Sequence, residues 1–150
     1  MKRDIHQWIR DYGVSHQNPI NKKIHWICVP LIMFTLLGLL SLVKIYIVNL
    51  AYLIIAFALF FYLRLSIPIS IGMFIISATQ LGLIFYIETL FLDLHLIYIY
   101  LLIFIIAWVG QFIGHKIEGQ KPSFFEDLQF LLIGPAWLIS FIYKKIGIKY

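Results

Sequence analysis

The sequence predicts an all-α fold: a polytopic membrane helical bundle with four full spans, a broken or re-entrant C-terminal helix and a short N-terminal amphipathic helix. Three observations predict it. First, 62% of the 150 residues are hydrophobic and only 13% are charged, whereas soluble domains are about 45–50% apolar and about 25% charged. Second, the apolar residues come in runs without a formal charge: 24–43 (20 residues), 45–63 (19), 65–87 (23) and 96–114 (19). Each is close to the roughly 20 residues a helix needs to cross the hydrocarbon core. Third, no segment shows the apolar/polar alternation of a membrane β-barrel strand, which leaves the helix as the structure that satisfies its own backbone in lipid.

Each element has its own signal. Ile5, Trp8 and Ile9 recur at helical spacing among charged residues, the pattern of an amphipathic helix at the membrane interface. Asn18-Pro19 reads as an N-cap followed by proline at the first helical position, opening the first span. That span is too long, starts too late and lacks a small-residue cleavage pattern for a signal peptide. Single residues, Lys44 and Arg64, separate the first three runs, so the connections there are short. Gly119 is placed to end the fourth span. Ser123 and Glu126 have capping-box spacing for the last helix.

The last segment, 128–143, has 16 uncharged residues, contains Gln129, Gly134 and Pro135, and is followed by Lys144, Lys145 and Lys149. Basic residues favour the cytoplasmic side, which puts Lys2, Arg3, Arg10, Lys22 and Lys23 inside, with Arg64, Lys116 and Lys121 after two and four spans. Lys44, Glu88 and Asp93 fall on the opposite side. If the last segment does not span, 11 of the 12 basic residues are cytoplasmic. The preferred reading is therefore a broken or partly inserted helix, the alternative a proline-kinked fifth span. Irregular backbone at membrane depth lines a cavity or is buried in protein, so Gly134-Pro135 marks a candidate cavity wall.

No repeat or linker divides the chain, and one membrane-embedded domain over 1–150 is the natural reading. Cys28 is the only cysteine, which excludes an intrachain disulfide and thiolate-only metal sites. The net charge of +5 reads as orientation and contact with anionic membrane lipid; no nucleic acid partner is expected. The chain reads as a multi-pass protein of a bacterial inner membrane, or of the endoplasmic reticulum in a eukaryote.

Polar side chains are costly in a bilayer and mark function. Here they form three clusters: Tyr12, His16, Asn18, Asn21 and His25; Gln111, His115 and Glu118; Glu126, Asp127 and Gln129. The charge-derived topology puts all three at the cytoplasmic boundary. Asn21 and His25 are four apart on one helix face, and His115 and Glu118 three apart. Each has a plainer reading. Asn18 serves as a cap, Glu126 as a capping-box partner, and Asp127 as a complement to a helix dipole; His6 and His95 are amphipathic interface residues. Three imidazoles with Glu118 at one depth fit a first-row metal site, although no compact metal motif such as HExxH is present. Ligating imidazoles must be neutral, so metal affinity is expected to fall as the pH drops through about 6.5.

The stretches YGVSHQNPINKKIHWICVPL and AWVGQFIGHKIEGQKPSFFEDLQFLLIGPAW, about 12–31 and 107–137, resemble the Mpo1-like family of small membrane proteins. The H-x-N-x-x-N-x-x-x-H and Q-F-I-G-H-x-x-E patterns carry the resemblance; the middle spans match only as generic hydrophobic helices. The resemblance implies an Fe(II)-dependent dioxygenase that uses dioxygen to shorten 2-hydroxy fatty acids by one carbon. It also implies metal ligation by His16, His25 and His115, with Asn18, Asn21, Gln111 and Glu118 in the shared motif. Because Fe(II) dioxygenases more often use two histidines and one carboxylate, Glu118 remains open as a ligand. Otherwise Glu118, Asp127 and the amides of Asn21 and Gln111 orient the imidazoles. Two other readings compete: a non-catalytic lipid-binding or carrier protein, and a metal-dependent lipid hydrolase.

Overall fold

The structure, a computed structural model, describes residues 3–46, 48–91, 95–121 and 128–150. These contain six helices: α1 (Ile5–Val14), α2 (Pro19–Ser41), α3 (Leu50–Leu63), α4 (Ile67–Leu90), α5 (His95–Glu118) and α6 (Phe130–Ile146). Three of them, α2, α4 and α5, are long and apolar enough to cross a membrane, with 23, 24 and 24 residues, about 35 Å each at 1.5 Å per residue.

Local chemistry sets the boundaries. Asn18 caps α2, its side-chain oxygen accepting from the Ile20 N–H at 2.8 Å, with Pro19 in the first turn. Ser66 caps α4, and Gly119 ends α5 with φ at +74°, the left-handed conformation glycine adopts without steric cost. The run 45–63 behaves differently from its hydropathy. Lys44–Ile45 and Val48–Asn49 pair as short antiparallel strands β1 and β2. Asn49 then caps α3 by accepting from Ala51 N–H at 2.9 Å. The 14 residues of α3 extend about 21 Å, less than a hydrocarbon core of about 30 Å.

Two apolar clusters occupy opposite ends of the bundle. At one end Leu37, Ala51, Leu81 and Ile84 meet from α2, α3 and α4. The other holds residues of α1 and α6 against Tyr62 at the end of α3, Ile69 and Met73 in the first turns of α4, and Val29 and Met33 of α2. Among the described residues α6 contributes only to this second cluster. Its bonds say the same: Tyr62 donates to the Leu132 carbonyl at 2.6 Å, and Tyr143 to the Pro68 carbonyl at 2.7 Å. Helix α6 therefore lies across the site-bearing end of the bundle.

The expected break in α6 is not present. Helix α6 runs through Gly134 and Pro135 as one 17-residue helix. Proline removes one backbone bond and crowds the carbonyl four residues earlier, a disturbance that membrane-protein interiors absorb. Gly134 lets α1 approach closely, since a Cβ there would sit 3.0 Å from the Tyr12 hydroxyl.

Helix α1 begins with a capping box in which the Gln7 N–H donates to Asp4 Oδ1 at 2.7 Å and the Asp4 N–H to Gln7 Oε1 at 3.0 Å. Its face of Ile5, Trp8, Ile9 and Tyr12 is buried against α6, with Trp8 edge-on to Phe130 at 5.3 Å. A helix forms where the interfacial one was expected, and its apolar face packs on protein.

Candidate metal centre

Helices α2 and α5 come close because α5 carries two glycines toward α2. A Cβ on Gly110 would lie 2.7 Å from the Cys28 sulfur, and one on Gly114 would collide with the Asn21 side-chain oxygen. Small residues four apart are how apolar helices approach closely in a membrane, where packing replaces the hydrophobic drive. Gly110-Gln111-Phe112-Ile113-Gly114 is a G-x-x-x-G run, the sequence signal for this contact.

The approach brings three histidines together. His16 sits in the connection after α1, His25 in the second turn of α2, and His115 in the last turn of α5. They are 0%, 1% and 4% exposed, and one ligand nitrogen from each lies within 4.8 Å of the others. The rings stand nearly perpendicular to one another, with centroids 4.3, 4.8 and 5.0 Å apart.

Hydrogen bonds fix which nitrogens face inward. His16 Nδ1 lies 2.6 Å from the Tyr12 carbonyl and His25 Nδ1 3.0 Å from the Asn21 carbonyl. A carbonyl only accepts, so both Nδ1 atoms carry the proton in the neutral rings and both Nε2 atoms present lone pairs. Those two Nε2 atoms face each other at 2.9 Å. Two lone pairs at that distance repel unless a cation lies between them. His115 Nδ1 is buried with no hydrogen-bond partner. Imidazole nitrogens held this way fit a first-row divalent metal ion, and the carbonyl bonds are the outer contacts that orient such ligands.

Aromatic rings wall the site. Tyr12 stacks on His16 at 4.1 Å and 15°, while Trp137 stands 5.3 Å from His16 and 6.5 Å from His25. Neither appeared among the candidate site residues. Tyr12 carried a signal in the first polar cluster, and Trp137 follows the Gly134-Pro135 pair. Burial pushes the Tyr12 phenol up, so it remains protonated.

Glu118 is placed differently from a ligand. Its Oε1 accepts from the Gln17 N–H at 2.8 Å, and its Oε2 accepts from the Asn18 N–H at 2.8 Å and Asn21 Nδ2 at 3.0 Å. Both oxygens thus clamp the N-terminus of α2, where free N–H groups and the helix dipole favour a carboxylate. The clamp ties the end of α5 to the segment holding His16 and His25. Gln111 is buried one turn before His115, and its Nε2 has no partner. Asp127 and Glu126 lie outside the described residues. His6 packs against Tyr150 at 5.2 Å, and His95 begins α5, 20 residues or about 30 Å from His115.

The pH expectation changes with burial. Desolvation first, then the neighbouring His25, lower the His16 pKa from 6.5 to about 3. A proton therefore competes for this nitrogen only well below 6.5, and bound metal is expected to persist at pH 5, measured as metal per protein after dialysis at pH 7, 6 and 5. In the metal-free protein, between pH 6.5 and 3, the unfolded chain binds a proton that folded His16 refuses, so stability is lost as the pH falls, by at most about 1.4 kcal/mol per unit.

Apolar helices long enough to cross a membrane, with three buried imidazoles converging at one end, define a class: membrane helical proteins equipped to hold a metal ion. Comparison with known proteins narrows it. The chain belongs to the Mpo1-like family, whose model, described as 2-hydroxy-palmitic acid dioxygenase Mpo1-like, matches residues 2–146. It is 30% identical to the 2-hydroxy-palmitic acid dioxygenase MPO1 of Saccharomyces cerevisiae, over 96% of this chain and 82% of that protein. No solved structure matches the chain.

Proposed function

We propose that this protein is a membrane-embedded Fe(II)-dependent dioxygenase that shortens 2-hydroxy fatty acids by one carbon. The observation that carries the reading is the pair of inward-facing Nε2 atoms, 2.9 Å apart, whose lone pairs are set by carbonyl bonds and joined by buried His115. The name of the yeast relative supports the substrate class. His16, His25 and His115 would hold the iron, which would supply the dioxygen chemistry.

The chain's own residues do the rest. The Tyr12 and Asn21 carbonyls hold protons on His16 and His25 Nδ1, keeping Nε2 free to ligate. Glu118 keeps the start of α2 in register with α5. Tyr12 and Trp137 shield the rings from water, which protects reactive species from side reactions. Protein purified without oxygen should carry about one iron per chain and consume dioxygen on addition of 2-hydroxyhexadecanoic acid, releasing the acid one carbon shorter. Oxygen-independent hydrolysis of a lipid ester would instead assign a hydrolase.

Orientation is part of the reading. The site-bearing end carries Arg10, Lys22, Lys23, Lys116 and Lys121, which favours the cytoplasmic face. Helix α6 lies across that end, so both termini are cytoplasmic and the chain is anchored by α2, α4 and α5, with α3 as a shorter companion. A cysteine placed at Tyr150 should label only from the cytoplasmic side; labelling from outside would mean that α6 spans.

A further inference from the structure

Next to the histidines lies a cavity of about 70 Å³ whose lining is drawn from α1, α2, α5 and α6. Gln111 and His115 line it, and Gln111 brings a buried, unpartnered Nε2. They sit four residues apart on α5 and therefore share one helix face. The remaining wall is apolar, with Ile32 and Met33 of α2, Trp108 of α5 and Leu131 of α6. Ile32, Met33 and Trp108 are only half-buried and Leu131 is 46% exposed, so the cavity opens sideways between α2, α5 and α6 where apolar surface faces lipid.

We propose that this cavity is the substrate's head-group site, that Gln111 donates to an oxygen of the 2-hydroxy acid, and that the acyl tail stays outside in the bilayer. The inference rests on the function proposed above. Size is the first reason. A cavity of about 70 Å³ is under half the roughly 150 Å³ of a cavity that takes benzene, which suffices for a carboxylate and a hydroxyl and excludes a long alkyl chain. Chemistry is the second. A buried amide N–H without a partner is costly, and an acid oxygen beside the histidines would satisfy it. The lining is the third: partly exposed Leu131, Ile32 and Trp108 give the cavity an apolar edge suited to an acyl chain. The enzyme would then read the head of its substrate strictly and the tail hardly at all.

Two measurements test it in lipid nanodiscs. The first uses the wild-type chain and 2-hydroxy acids of 10, 16 and 24 carbons, with concentration expressed per lipid. Binding under argon, read by calorimetry on the metal-loaded protein, should agree within a few-fold across the series. A sharp optimum at one length, with the longest acid rejected, would overturn the proposal. The second compares Gln111→Leu with the wild type. Binding of 2-hydroxyhexadecanoic acid should weaken about 10-fold or more, the usual cost of a hydrogen bond to a charged group, while metal per protein is unchanged. Unchanged affinity in that variant would also overturn it. Both readouts are binding, so length-independent, Gln111-dependent binding without oxygen uptake would retain the head-group site and remove the dioxygenase assignment.

Discussion

Alanine at His16, His25 or His115 is expected to remove bound metal and turnover together, while alanine at His6 or His95 leaves both near the wild-type level. The three rings are buried and each presents one nitrogen to a common point. Deleting one leaves two ligands around an ion that needs more, so affinity should fall by well over the 10–100-fold that loss of an outer partner costs, as an order of magnitude. His6 is engaged with Tyr150, and His95 lies about 30 Å along α5 from His115. Metal per protein and oxygen uptake for all five variants, with thermal unfolding in detergent as the check on folding, provide the measurement. Loss of metal in His95→Ala with retention in His16→Ala would remove the proposed centre.

Substitution of Glu118 is expected to weaken metal binding indirectly, and the size of the effect should separate a clamp from a ligand. Its carboxylate receives N–H groups of Gln17, Asn18 and Asn21, all of them donors. In Glu118→Gln the new NH2 would oppose at least one donor, costing about 1–3 kcal/mol for the unpaired group. Glu118→Ala loses every bond and should cost more. Metal affinity should fall about 10–100-fold in either variant, with saturation still reached at high metal and a lowered melting temperature. A Glu118→Gln protein that melts normally and takes up no metal at any concentration would make Glu118 a ligand.

What could be read directly from the residues was local. Runs of apolar residues mark helices because transfer into lipid is a property of each segment by itself, and three of the four runs became long helices. The Asn18-Pro19 cap and the Gly119 stop were visible for the same reason: a cap is satisfied within a few residues. The remaining run, 45–63, became a hairpin and a shorter helix because Asn49 caps inside an apolar stretch, where hydropathy gives it little weight. Placing His16, His25 and His115 at one depth needed only helix lengths and loop charges. Tertiary structure alone decided the rest. Which way the imidazole nitrogens point depends on carbonyls of Tyr12 and Asn21 held in register. Glu118 finds its donors about a hundred residues away in sequence. Helix α6 crosses the end of the bundle and takes α1's apolar face because that burial competes with lipid and is settled by packing. A sequence pattern reports what each segment prefers as its solvent; the choice among partners is made by close approach and by pairing of polar groups that lipid leaves unsatisfied.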